Sequence, residues 1–385
     1  MIDTKKIADG LRQAAESGDV PGVVAAAATA DGLIFEGAFG KRDLASDASM
    51  TADTVVWIAS MTKAITGAGA MQQVERGKLS LDGDIAKVLP ELGRVQVLEG
   101  FDGDGKPRLR APKRAITLRH LLTHTAGYGY DIWNGNVARY MELTGTPGII
   151  SGKNTALALP LIADPGEKWE YSISIDWAGK AVEAVSGQPL DKYLQENLLG
   201  PLGMTDTAFN LNDAQRGRRA RVHSRTPQGL VPTDVEMPSN PEFYAGGGGL
   251  YSTAGDYLKF AQMMLHGGTF NGAQVLRPET VATMSRNAIG DLVCNPLKTV
   301  APQFSNDVDF TAGMKWGLTF LINPAQMPTG RSPGSLAWAG LANSYYWIDP
   351  TRKVAGVYAT QVLPFYDEKA FKAFEGFETA VYQGL

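Results

Sequence analysis

Cysteine and histidine are scarce in this chain: its 385 residues hold one of the first and four of the second. The lone Cys294 cannot close an internal disulfide, which fits a reducing compartment. A chain of this length buries enough core to need no such staple. No apolar stretch approaches the roughly 20 residues of a membrane span. The start, Met1-Ile2-Asp3-Thr4-Lys5-Lys6, lacks the apolar centre of a signal peptide. A soluble, cytoplasmic protein without membrane contact is therefore expected. Net charge is −4 with both signs scattered, and the densest basic run, Arg216-Gly217-Arg218-Arg219-Ala220-Arg221, has no aromatic residues among its cations. It reads as a solvated face, so nucleic acid is not an expected partner. His120 and His124 stand four apart, but no glutamate completes a His-Glu-x-x-His arrangement, so they read as core or hydrogen-bonding residues and no metal is expected. The run Gly246-Gly247-Gly248-Gly249 is followed by no phosphate-binding lysine; it reads as close backbone packing, and no cofactor is expected.

What is present is ordered punctuation. Ile7, Leu11 and Ala14-Ala15 recur at helical spacing over residues 3–18. Residues 22–28 and 33–40 read as strands joined at Asp31-Gly32, a hairpin signal. Helices are expected from Ser60 to about Gly77, over 116–124 with Thr117 as N-cap, over 175–185, 190–199, 253–266, 278–284 and 368–382. Glu91 to Lys113 is polar and glycine-rich, a surface excursion. Strands return at 316–322, 335–339, 343–348 and 354–361. Strands at both ends with helices between predict an α/β domain built from the two termini, with a mainly helical region inserted.

Ser60 and Lys63 lie three apart where an apolar run, Val55-Val56-Trp57-Ile58-Ala59, meets a helix rich in small residues. That spacing puts hydroxyl and amine on one helical face, a known way to activate a serine nucleophile. The helix carries Gly67 and Gly69, each unfavourable by about 1 kcal/mol against alanine, which implies close packing on all sides. A lysine buried there is desolvated, and its pKa falls below about 10.4. A second stretch, Asp164-Pro165-Gly166-Glu167-Lys168-Trp169-Glu170-Tyr171-Ser172, turns at Pro-Gly and can aim Tyr171 at the same place.

With these residues in hand, the chain resembles the serine β-lactamase and penicillin-binding-protein superfamily over nearly its whole length, the class C side in particular. Ser60-Met61-Thr62-Lys63 matches its Ser-x-x-Lys motif, and Tyr171-Ser172 the Tyr-Ser that follows Pro-Gly-x-x-Trp. Leu121-Leu122-Thr123-His124-Thr125-Ala126-Gly127 and Gly246-Gly247-Gly248-Gly249-Leu250-Tyr251-Ser252-Thr253 resemble two further segments of the family. The departures are Ile173, where β-lactamases carry the asparagine of Tyr-x-Asn, and Trp338-Ala339-Gly340, where they carry Lys-Thr-Gly. Trp-x-Gly there resembles the family VIII carboxylesterases and related acyltransferases.

The resemblance implies a β-lactamase-like α/β (α+β) fold: an antiparallel sheet flanked by helices from residues 1–80 and 305–385, an inserted helical domain over 81–304, and the active site at their junction. It implies catalytic Ser60, Lys63 and Tyr171, an oxyanion hole of the Ser60 and Leu341 amides, and a substrate wall of Trp338, Ala339, Gly340, Tyr128 and Trp133. The expected activity is hydrolysis of short-acyl or apolar esters. A β-lactamase, a D-alanyl-D-alanine carboxypeptidase or an acyltransferase is the alternative, and a non-catalytic binding or scaffold member is the remaining one. Either Lys63 or Tyr171 can serve as base, and oligomeric state is left open. A rival nucleophile, Ser332 in Gly330-Arg331-Ser332-Pro333-Gly334, fits Gly-x-Ser-x-Gly but has no helix-forming segment after it, and all four histidines precede it. It reads as a loop.

Overall fold

The small residues of Gly22–Thr29 form a strand, β1, buried through Ala28, and Gly32–Gly40 returns beside it as β2. In the computed structural model, which describes residues 2–385, this hairpin is completed by strands from the far end of the chain. These are β3 (Lys315–Trp316), β4 (Leu321–Ile322), β5 (Leu336–Gly340), β6 (Ser344–Asp349) and β7 (Val354–Ala359). The sheet runs β3-β4-β5-β6-β7-β1-β2 and every neighbouring pair is antiparallel. Trp316 to Ile322 is not the single strand its composition predicts. Leu318 and Thr319 donate their N–H groups to the Met284 and Leu122 carbonyls instead of to a strand, and Thr319 turns the chain at φ 76°.

The helices are α1 (Thr4–Glu16), α2 (Thr62–Glu75), α3 (Leu118–Leu122), α4 (Gly135–Thr144), α5 (Ser174–Ser186), α6 (Leu190–Leu194), α7 (Asp213–Gly217), α8 (Ala254–Leu265), α9 (Pro278–Met284) and α10 (Glu368–Gln383). Adjacent strand residues point to opposite faces of a sheet. Tyr345 of β6 therefore stacks on Phe374 of α10, while Tyr346 meets Tyr257 of α8 on the other face. Helices cover both faces, which is why β5, β6 and β7 are buried at every position. Thr117 caps α3 by accepting from the His120 N–H, and Thr253 caps α8 by accepting from the Asp256 N–H. The helix expected to reach residue 199 is α-helical only to Leu194 and widens into a π-turn through Leu199.

α2 lies at the centre, buried from Thr62 through Gln73. A Cβ on Gly67 would stand 2.6 Å from the Thr319 side chain, and one on Gly69 would stand 2.8 Å from Leu194. The two glycines let a helix and a turn approach where alanine would not fit. The excursion at Glu91–Lys113 folds into a hairpin, Val97–Phe101 against Pro107–Arg110. Arg110 grips the buried Asp164 with two nitrogens, at 2.9 and 2.7 Å. Among the described residues no helix is long and apolar enough to cross a membrane.

Candidate active site

The short strand Val56–Trp57 delivers the chain to a tight 3-10 turn, Ala59–Met61, and α2 proper begins only at Thr62. Ser60 thus stands on the turn, two residues ahead of α2, rather than opening the helix as its spacing with Lys63 predicts. Ala59 adopts φ 43°, in the left-handed region that favours glycine. The turn is held from several sides. Gln361 accepts from the Trp57 N–H and donates to the Trp57 carbonyl, both at 3.0 Å. The Tyr257 hydroxyl donates to the Met61 carbonyl at 2.9 Å, and the Leu250 N–H donates to Thr62 Oγ1 at 3.1 Å.

One helical turn on, the Lys63 amine is buried 3.0 Å from Ser60 Oγ. It donates to the Gly247 carbonyl at 2.6 Å and to the Tyr130 hydroxyl at 3.1 Å. Tyr171 comes from the loop that Asp164-Pro165-Gly166 opens and the buried Trp169 anchors. Its ring packs 4.7 Å from His124, 5.3 Å from Tyr130 and 4.8 Å from Trp338, with Lys63 Nζ 4.8 Å from its centre. Its hydroxyl accepts from Trp338 Nε1 at 2.9 Å.

Burial sets the electrostatics. Desolvation pulls the Lys63 amine below the ordinary lysine value, and the nearby Asp176 carboxylate partly opposes that fall. Desolvation raises the Tyr171 phenol, against smaller opposing effects of hydrogen bonds with Ser60 and Trp338. Desolvation also raises Tyr130 well above the usual phenol, and raises Asp176 against the pull of Lys63. Burial therefore brings the neutral form of the lysine within reach and keeps the phenols neutral.

Above Ser60 opens a cleft of about 430 Å³, walled by Trp57, Trp133, Ile149, Ile150, Met237 and Phe304, with Leu341 beside the serine. Asp131, Asp176, Asp234 and Glu236 also reach it, and no lysine or arginine is among its wall residues. β5 ends against the serine turn: a Cβ on Gly340 would lie 2.4 Å from the Ile58 carbonyl oxygen. Among the described residues, neither the Ser60 nor the Leu341 N–H donates to another backbone or side-chain acceptor.

The structure brings Ser60, Lys63, Tyr171, Leu341 and Trp133 together. Trp338 stands behind Tyr171 and does not line the cleft; Ala339 lies buried within β5, and Gly340 acts by its missing side chain. Tyr128 is a correction: it lines a second cavity, with Trp177, Tyr140 and Arg94, rather than the cleft over Ser60. Ser332 sits far from this chemistry in a turn beside the Arg331–Glu378 ion pair, its N–H held by Asp349 and its carbonyl by Asn323. His120 accepts from the Thr117 N–H in the cap of α3, and His124 accepts from the Ser172 N–H.

Two residues at the centre were not singled out for roles by the sequence reading. Tyr130 lies two positions from Tyr128, and nothing in their spacing separates the tyrosine that meets Lys63 from the one that does not. Asp176 carried a usable signal: an acidic residue on the buried face of α5, one turn after the apolar Ile173 that interrupts Tyr-x-Asn.

A family model described as Beta-lactamase matches residues 7–380. The monacolin J acid methylbutanoyltransferase of Aspergillus terreus is 33% identical over 391 residues, covering 97% of this chain and 94% of that protein. The lovastatin esterase of Penicillium rubens is 31% identical over 374 residues, 92% of each. Among solved structures, a variant of simvastatin synthase from Aspergillus terreus superimposes with a TM-score of 0.85 at 32% identity, covering 97% of this chain and 95% of the other.

Proposed function

The chain belongs to the Beta-lactamase family, as an enzyme of its serine hydrolase and acyltransferase kind, and we propose that it cleaves uncharged carboxylic esters through an acyl-enzyme on Ser60, as a carboxylesterase does. The observation that carries this reading is the buried Lys63 amine 3.0 Å from Ser60 Oγ. In its neutral form the amine takes the Ser60 proton as Oγ bonds to the ester carbonyl carbon. The carbonyl oxygen, now an anion, accepts from the Ser60 and Leu341 N–H groups; losing one such donor costs roughly 3–4 kcal/mol of transition-state stabilisation. The tetrahedral centre collapses, the alcohol oxygen leaves, and Lys63 returns the proton to it. Water repeats the cycle at the acyl carbon and frees Ser60. Tyr171 serves as a neutral hydrogen-bonding partner, since its phenol is raised by burial, which supports Lys63 as the base.

The preference for uncharged substrates rests on the cleft. A lactam or peptide carboxylate would meet no lysine or arginine on its walls and would face acidic side chains instead. A second reading, transfer of the acyl group to an alcohol, is supported by the breadth of the apolar cleft and by relatives named as acyltransferases as well as an esterase.

With a short-chain aryl ester as substrate, Ser60→Ala is expected to lose activity by on the order of 10³-fold or more, while Ser332→Ala keeps it. Turnover that survives in Ser60→Ala sinks this reading. Adding an acceptor alcohol and measuring the ratio of new ester to free acid separates transfer from hydrolysis, and a chromogenic cephalosporin is expected to be turned over far more slowly than the ester.

A further inference from the structure

Asp176 is the buried acid that the acyl-transfer steps above leave without a task. It stands in the first turn of α5, where a carboxylate suits the helix N-terminus. Its Oδ1 accepts from the Gly247 N–H at 2.9 Å. The same residue's carbonyl oxygen, across the Gly247 Cα, accepts from Lys63 Nζ at 2.6 Å, and Lys63 Nζ lies 3.0 Å from Ser60 Oγ. The carboxylate is packed tightly under that glycine: a Cβ on Gly247 would stand 2.5 Å from Oδ2 and 3.1 Å from Oδ1. Among the described residues Oδ2 has no hydrogen-bond partner although it is buried.

A purely structural cap would not need this arrangement. An asparagine would offer Gly247 the same acceptor without placing a carboxylate in the interior, where an unpaired polar oxygen costs roughly 1–3 kcal/mol. What an aspartate adds is charge, and Lys63 is the buried amine whose protonated form that charge favours.

We propose that Asp176 is a positioning residue for acyl transfer: it holds Gly247, whose carbonyl seats the Lys63 amine on Ser60. The inference rests on Ser60 being the nucleophile activated by Lys63.

The groups around the amine are few. Tyr130 and Tyr171 face Lys63 from their loops, His124 from the end of α3 and Asp176 from α5, with Asp131 beyond Tyr130. Burial keeps both phenols protonated and pulls His124 well below the usual imidazole, so it stays neutral. Asp176 is thus the acid whose charge raises Lys63. The sign follows: with the carboxylate gone, the amine gives up its proton at lower pH.

The test reads the nucleophile itself, so that it does not depend on the choice of ester. The rate at which a fluorophosphonate labels Ser60 is measured against pH for the native protein, Asp176→Asn and Asp176→Ala, with folding of each checked by circular dichroism. In Asp176→Asn the acidic limb of the profile is expected to move to lower pH by about one unit, as for removal of an opposite charge close by. Asp176→Ala, which also loses the clamp, is expected to label at least about tenfold more slowly across the range, the effect of roughly 1.4 kcal/mol, with Asn restoring most of that loss. An unshifted limb in Asp176→Asn, or its complete inertness with an intact fold, overturns the proposal even if Asp176→Ala does not fold. Failure of the native protein to label at Ser60 instead overturns the functional reading on which it stands.

Discussion

Trp338 meets the site from behind the cleft, through one hydrogen bond. Its indole N–H reaches the Tyr171 hydroxyl at 2.9 Å while its ring stays off the cleft wall. Trp338→Phe should keep most of the packing and remove the donor, so kcat is expected to fall by about tenfold with KM nearly unchanged, the effect of one lost hydrogen bond in a buried site. A rise in KM with kcat intact would show that the ring touches substrate after all. The residue scale is also where the sequence was most informative, and unevenly so. Ser60 and Lys63 are legible because one helical turn relates them, and Tyr171 because a Pro-Gly turn and a tryptophan precede it. Tyr130 and Asp176 were not, since their roles come from a loop and a glycine run that approach Lys63 only in three dimensions. Tyr128 and Tyr130 differ by two positions in an irregular segment, where no period tells which ring faces which cavity.

At the scale of elements, the proposed oxyanion hole rests on how closely β5 abuts the turn that carries Ser60. Gly340 permits that contact, and Gly340→Ala would put a methyl group 2.4 Å from the Ile58 carbonyl. The variant is expected to be less stable by about 1–3 kcal/mol in urea unfolding. It should also acylate far more slowly, because the Ser60 and Leu341 N–H groups would separate. Normal burst kinetics in a destabilised Gly340→Ala would break the link between this contact and the oxyanion. Periodicity located α1, α8, α9, α10 and the three strands β5 to β7 to within a residue or two at most ends. It failed where the backbone found partners outside its own element: at Leu318 and Thr319, which bond to Met284 and Leu122, and at Ser60, whose turn is set by contacts with residues 250, 257 and 361.

For the whole molecule, the fork between Arg110 and Asp164 ties the polar hairpin at 97–110 to the loop that presents Tyr171. Arg110 and Lys113 hold the Asp164 carboxyl well below the usual carboxylate range. A carboxylate depressed in the folded state stabilises the fold above its unfolded value, near pH 4, and that contribution fades as pH falls through the depressed value. Asp164→Asn should therefore lower the urea midpoint at about pH 7 and narrow the difference between that midpoint and the one near pH 3. An unchanged difference would mean that the fork contributes nothing to acid sensitivity. A composition that joins strands at both ends to helices between them made the α/β class readable, but an ion pair spanning 54 positions leaves no local trace.

The apolar outer wall of the cleft and the residues at its floor are drawn from different kinds of chain. Ser60, Lys63 and Asp176 ride on the serine turn and on α2 and α5, deep in the core, whereas Ile149, Ile150, Met237 and Phe304 belong to connecting segments. On the proposed reading selectivity and reactivity lie on separable parts, and exchanging the former is expected to leave the latter anchored. A library confined to residues 148–150, 235–237 and 304 can explore which esters enter while the proton chemistry stays in place. In this fold, a new substrate is a matter of re-lining the vestibule.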